Sequence, residues 1–428
     1  MKVLIISHNP VSPQSSMGKT FLSLFSKFEP NELCQLYIYP TLPNEQCCSS
    51  FFRMTDKEAL KHLILRGKMG REVLPEEIFS EQGAYEYAAD EAFYRNKKNK
   101  TPLRRLLRDL VWKLAPWYSS KLKKWVEREK PTCIFVAPGV AGFIYDFALN
   151  LSKDFHLPIV TYICDEYYFV APPKGMLESF RLKRLQNMIG ELLNHTENLV
   201  VISPELEAGY APHFGVKTQL LMTGSAFPVA NMLRTEEEPL SVSYFGNLRS
   251  NRFLSLAQIG QALESLNQKH QTQFKLKIFS SEKDPEILNH LSASSAIELC
   301  GFVSGEAFTE ALLNSHLLLH VESFDEESID RVRNSISTKI ADSLASGIPL
   351  VAYGPGAVSS IKHLQRNDCA LVATQKEELE SVLESAFFDA EKRKKVVENA
   401  CETARKYHDS DKNSALLKEL LSAVSGEI

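Results

Sequence analysis

Twelve short strand-like runs, most of them followed by a helical stretch, limit what this chain can fold into. In the first half they are Lys2 to Ser7, Cys34 to Tyr39, Cys133 to Ala137, Ile159 to Ile163, Leu199 to Ile202 and Gln219 to Met222. The second half repeats the rhythm with Val242 to Phe245, Phe274 to Phe279, Ile297 to Cys300, Leu317 to Val321, Pro349 to Tyr353 and Ala370 to Ala373. Their alternation with helical stretches is the signature of a parallel, doubly wound sheet. At 428 residues the chain exceeds one typical core. The expected architecture is therefore α/β, with two Rossmann-like doubly wound parallel-sheet domains. Thr223 to Pro239, with Gly224, Pro228, the acidic run Glu236 to Glu238 and Pro239, reads as the linker. This places an N-terminal domain at 1–228, carrying a helical basic insertion at about 50–130, and a second domain at 229–404.

A net charge of −4 and a pI near 6.3 give no global bias towards nucleic acid. Eight scattered cysteines without a Cys-x-x-Cys pair favour reduced thiols over disulfides or zinc, and the 11 histidines lack metal-ligand spacing. The first strand starts at Lys2 and no apolar run approaches the ~18 residues of a membrane span. A cytoplasmic protein without signal peptide is expected, either free or peripheral on the inner face of the membrane.

The segment from Ser335 to Gly356 carries the most specific signal. Thr338 to Ser346 reads as a short helix between two buried strands, stopped by Gly347, with Ser337 as N-cap. The amides of Ser337, Thr338 and Lys339, the helix dipole and the Lys339 ammonium suit a diphosphate. One turn in, Asp342 has enough lone pairs to accept from both hydroxyls of a ribose. Read blandly, the segment is an ordinary αβ unit ending in a Gly-Pro turn.

Asp342, Leu344, Ala345, Gly347 and Pro349 resemble the donor-site stretch of GT-B glycosyltransferases, specifically the retaining family 4 (group 1) enzymes of bacterial polysaccharide synthesis. That family's two glutamates eight positions apart correspond here to Asn334 and Asp342, and its Gly-Phe-Gly to Ser335, Ile336 and Ser337. The resemblance implies two domains facing a cleft, a nucleotide-sugar donor held by the second domain, and a last helix, 405–428, crossing back to the first. It also implies same-face attack assisted by the leaving diphosphate, so no nucleophile is named.

Val242 to Arg252 places Gly246 just after the second domain's first strand, where it permits close approach to phosphate, with Arg249 and Arg252 to neutralise it. In the resemblance this is the diphosphate-holding element, with Asn247 where an arginine is usual and Arg252 where a lysine is usual. A Gly-Asn after a strand is otherwise a turn. In the first domain, Gly18, Lys19 and Thr20 suggest a P-loop, but that motif needs a glycine where Pro13 stands. The resemblance instead has Gly18 heading the first helix, with amides reaching the donor phosphates.

Asp165 and Glu166 follow another strand, and Asp165 is the candidate catalytic group, binding or deprotonating an acceptor hydroxyl; the plain alternative is a cap or loop acid. Glu322 to Asp330 reads as a solvated acidic loop or mobile lid rather than a metal site, since helix amides, Lys339 and arginines already supply positive charge. No metal or other cofactor is expected. Finally, eleven Lys or Arg lie between Arg95 and Lys124 against one acid, Asp109, and all three tryptophans, Trp112, Trp117 and Trp125, sit within 95–125. Leu103, Leu107, Leu110, Leu114 and Trp117 share a helical face, with Arg104, Arg105 and Arg108 flanking it. Either this is an interfacial helix on anionic lipid through residues 95–125, or its leucines pack on the domain.

The favoured reading is a nucleotide-sugar-dependent transferase adding a hexose or related sugar to a glycan or lipid-linked acceptor. An epimerase or phosphorylase of similar fold, and a non-catalytic nucleotide-sugar binding protein, remain as alternatives.

Overall fold

A computed structural model describes residues 1–12, 16–43, 47–65, 69–78, 101–171, 173, 175–230 and 239–426. Glu236 to Glu238 of the expected linker, Pro13 and Ser15 of the first loop, and Arg95 to Lys100 of the basic region lie outside the described residues. The chain divides into two units, Met1–Thr223 with Ser410–Ile428, and Gly224–Asp409.

The first unit is built on an eight-stranded sheet: β1 (Val3–Ser7), β2 (Leu33–Tyr37), β3 (Ser50–Arg53), β4 (Arg71–Val73), β5 (Cys133–Ala137), β6 (Ile159–Ile163), β7 (Thr196–Val201) and β8 (Lys217–Leu220). Its order is β4-β3-β2-β1-β5-β6-β7-β8, parallel throughout except for β3 with β4. β1, β2, β5 and β6 are buried along their whole length, which is why they read as unbroken apolar runs. Region 50–130, expected to be helical, does carry helices, among them Asp56–Leu65, Pro102–Leu114 and Ser120–Glu129, but it also contributes β3 and β4. Ser50–Arg53 is only four residues long, and its strand state comes from pairing with β2 rather than from a sequence pattern. The C-terminal Ser410–Val424 helix packs against the Ser16–Leu24 helix of the same unit: Lys27 N donates to Ser414 Oγ at 2.9 Å and Asn413 Nδ2 to Met222 O at 2.8 Å.

The second unit has six parallel strands, β9 (Ser241–Phe245), β10 (Lys275–Phe279), β11 (Ile297–Gly301), β12 (Leu317–Val321), β13 (Leu350–Tyr353) and β14 (Leu371–Ala373), in the order β11-β10-β9-β12-β13-β14. Val242, Leu256, Leu263, Leu276 and Val351 are fully buried in its core. In both sheets the strand order reverses once, between β1 and β5 and between β9 and β12. The crevice beyond the carboxyl ends of two such strands is where open α/β sheets bind ligands.

Candidate active site

In the second unit, the residues following β9 and β12 bring the expected donor groups together. A Cβ at Gly246 would lie 2.8 Å from Lys339 Nζ and 2.6 Å from the Tyr244 hydroxyl, so only glycine lets the ammonium rest on this turn. The Gly246 amide is not aimed at a ligand; it donates to Phe279 O at 3.0 Å. Tyr244 OH donates to Asn247 O at 2.8 Å, and Asn247 Oδ1 accepts from Arg249 N at 3.2 Å, which holds the turn. Arg249 is exposed.

Arg252 opens the Arg252–His270 helix, but its charge is already matched. Nη2 meets Glu322 Oε2 at 2.7 Å, Nε reaches the same oxygen at 3.1 Å and Val321 O at 3.2 Å, and Nη1 donates to Asn247 Oδ1 at 3.3 Å. Glu322 is 3 % exposed. His320 Nε2 lies 3.3 Å from its other oxygen, without a well-aligned hydrogen bond. Burial works against the charged carboxylate, yet His320 and Arg252 together outweigh it and hold its pKa below the usual value. The stretch expected to be a solvated loop or lid is thus ordered structure. Glu322, Ser323 and Ser328 are buried, and Asp325 caps the Glu326–Val332 helix by accepting from Ser328 N at 3.0 Å. Sequence reading missed Glu322 because its counter-ion stands 70 positions away.

The Thr338–Ala345 helix forms with Ser337 at its N-cap, in extended backbone but with no side-chain cap. The Ser337 amide, expected to face an anion, donates to Ser360 Oγ at 3.0 Å, and Ser360 Oγ donates in turn to Ser335 O at 3.3 Å. Ser360, 1 % exposed, is a second group the sequence did not point to. Asp342, expected as an exposed carboxylate, is half-buried: its Oδ1 accepts from Ala226 N at 2.9 Å and Ser225 Oγ at 3.2 Å. Asn334 sits half-buried in the turn before this helix.

In the first unit, Gly18 lies in the first turn of the Ser16–Leu24 helix, where a Cβ would come within 2.0 Å of Ser12 O; close packing alone demands glycine here. Thr20 Oγ1 is 3.0 Å from Thr223 Oγ1, and Lys19 is exposed. Asp165 Oδ2 accepts from Tyr167 OH at 3.1 Å. Glu166 is a loop fastener, accepting from Phe169 N at 2.9 Å and Tyr210 OH at 2.9 Å. Just past β1, His8 Nε2 accepts from Arg108 Nη2 at 3.1 Å while Arg108 Nε spans both oxygens of Asp56 at 3.0 Å. Removal from water, then the Arg108 charge, push His8 down to about 4. Among the described residues, no three His, Cys, Asp or Glu side chains converge as a metal site requires.

Two α/β units built on mainly parallel sheets are the arrangement of the GT-B fold, and solved structures share this fold over essentially the whole length. Sucrose-phosphate synthase from Thermosynechococcus elongatus superimposes with a TM-score of 0.62 at 12% identity, covering 100% of both chains. Anabaena HepE, solved with UDP and glucose, gives 0.60 at 12% identity, covering 99% of this chain and 100% of its own. An α,α-trehalose-phosphate synthase (UDP-forming) from Burkholderia xenovorans, in complex with glucose-6-phosphate, gives 0.60 at 10% identity over 98% and 100%. Among curated proteins, no sequence relative matches. Residues 258–419, within the second unit and the start of the C-terminal helix, match the family described as glycosyl transferase-like.

Proposed function

We propose that this protein transfers a sugar from a nucleotide-sugar donor to a glycan or lipid-linked acceptor in cell-surface polysaccharide synthesis, with retention of anomeric configuration and without a metal. The observation that carries the reading is the Lys339 ammonium seated on Gly246 at the β9/β12 strand reversal. A diphosphate placed there meets Lys339 and the start of the Thr338–Ala345 helix, with Arg249 exposed beside the turn. The UDP in the HepE structure and the UDP-forming synthase support a nucleotide-sugar as the donor class. In the reaction, the acceptor oxygen bonds to the anomeric carbon as the bond from that carbon to the diphosphate oxygen breaks. The hydroxyl proton passes to the departing diphosphate. Lys339 stabilises the charge that builds there, which is the contribution asked of a metal elsewhere.

The test is to incubate the protein with UDP-, GDP-, ADP- and dTDP-sugars, with and without glycan acceptors. A donor at 100 times its dissociation constant should stabilise the fold by about 2.7 kcal/mol, and acceptor-dependent release of nucleoside diphosphate should persist in EDTA. Isomerised sugar without acceptor would mark an epimerase, and stabilisation without turnover a binding protein. Activity lost in EDTA and restored by Mg²⁺ would end the metal-free mechanism.

A further inference from the structure

The Pro102–Leu114 helix turns its leucine stripe outward. Leu103, Leu107, Leu110 and Leu114 are 56, 50, 47 and 60% exposed. The opposite side holds the helix in place: Trp112 is fully buried, stacked on Phe143 at 4.4 Å, with its indole N–H donated to Asp56. Arg108, which flanks the stripe in sequence, is drawn inward to Asp56 at 3.0 Å, and Arg105, itself exposed, reaches Glu178 at 3.5 Å. The Arg105–Glu178 pair joins this helix to Met176–Leu193, whose first turns add Met176, Leu177 and Phe180 at 91, 52 and 63% exposure. With about 100° per residue, Arg104 and Lys113 project on either side of the leucine stripe, and Lys183 follows Phe180 by one turn. All three are exposed, as are Lys121 and Lys124 on the next helix.

We propose that this two-helix face docks the protein on an anionic lipid bilayer. An apolar stripe bordered by cations suits a surface with hydrocarbon below a layer of phosphates. A second copy of the chain would set the same cations against each other, so self-association is disfavoured. Among the described residues no helix is long and apolar enough to cross a membrane, so the contact lies in the interface plane. The Arg108–Asp56 pair leaves no charge stranded on the buried side of the helix.

Co-sedimentation with vesicles tests this directly. The parent should pellet with phosphatidylglycerol vesicles at low salt, much less with pure phosphatidylcholine, and be released by high salt. Lys113→Gln with Lys183→Gln should weaken binding by about 30-fold, from roughly 1 kcal/mol per surface cation. Leu107→Gln with Phe180→Gln should abolish it while leaving the thermal melt unchanged, because neither residue is in the core. A parent that stays in the supernatant with phosphatidylglycerol at low salt overturns the proposal. So does a parent that sediments as a dimer dispersed by the Leu107 and Phe180 changes, which would make the face a protein interface. Donor turnover is measured without vesicles, so either proposal can fail while the other stands.

Discussion

Each sheet of this protein carries an arginine, a carboxylate and a histidine where its strand order reverses, and the two trios are wired differently. In the first unit Arg108 sits between its partners, spanning Asp56 and donating to His8. In the second Glu322 sits between, bonded to Arg252 with His320 at 3.3 Å. Burial, then the Arg108 charge, holds His8 below its usual value, whereas His320 and Arg252 keep Glu322 ionised despite its burial. The first trio therefore anchors a helix, and the second stiffens the turn on which Lys339 rests.

The largest effect that could break this comparison comes from deleting the two carboxylates. Glu322→Ala leaves Arg252, whose side chain is 18% exposed, without its counter-ion, and should cost about 3 to 5 kcal/mol in urea unfolding. Asp56→Ala should cost less, about 1 to 3 kcal/mol, because Arg108 is 31% exposed and can turn to water. Equal losses would mean that the wiring is immaterial. Next, Lys339→Ala should weaken donor binding by about 10- to 100-fold, the 1.5 to 3 kcal/mol of a charge-assisted contact, with little change in melting temperature. Unchanged affinity would remove the donor-site assignment.

Acidification separates the trios more finely. His8 titrates at about 4 in the folded state against 6.5 unfolded, so the unfolded chain binds the extra proton between those values. Stability is complete above pH 6.5 and should fall by about 2 kcal/mol between pH 6.5 and pH 5 through this ring alone. His363, buried against His408 Nε2 at 3.0 Å and pushed down to about 3 by burial and then His408, adds a similar loss in the second unit. The contribution of Glu322 has the depressed-carboxylate form: present above its unfolded value of 4.5 and lost only below it. His8→Asn should remove about half of the loss between pH 6.5 and pH 5, leaving the His363 share and the later Glu322 phase. The smallest change belongs to Arg249→Gln, an exposed cation whose loss should weaken donor affinity by about fivefold or less. A larger loss would move the diphosphate towards Arg249.

Much of the fold was legible because strands buried on both faces must be apolar throughout, and β1, β5, β6 and β12 announce themselves that way. The edge pair β3 and β4 did not, since three or four residues carry no period and acquire strand structure only from a neighbour. Within the site, Gly246, Lys339 and Arg252 could be picked out by residue type and position. Glu322 looked like one acid among several, and Ser360 like an ordinary helix residue.

The sequence by itself determined the parallel α/β class, the two-domain division, the turn after β9 and the amphipathic leucine helix, because each follows from local periodicity and residue chemistry. Tertiary structure decided which partner each charge meets and which face of a helix is covered. Arg252 reads as a phosphate ligand until Glu322 claims it, and the leucine stripe stays open between core and lipid until Trp112, stacked on Phe143, seats the opposite side. Both outcomes turn on free-energy differences between contacts of residues far apart in the chain, and no local pattern records such differences.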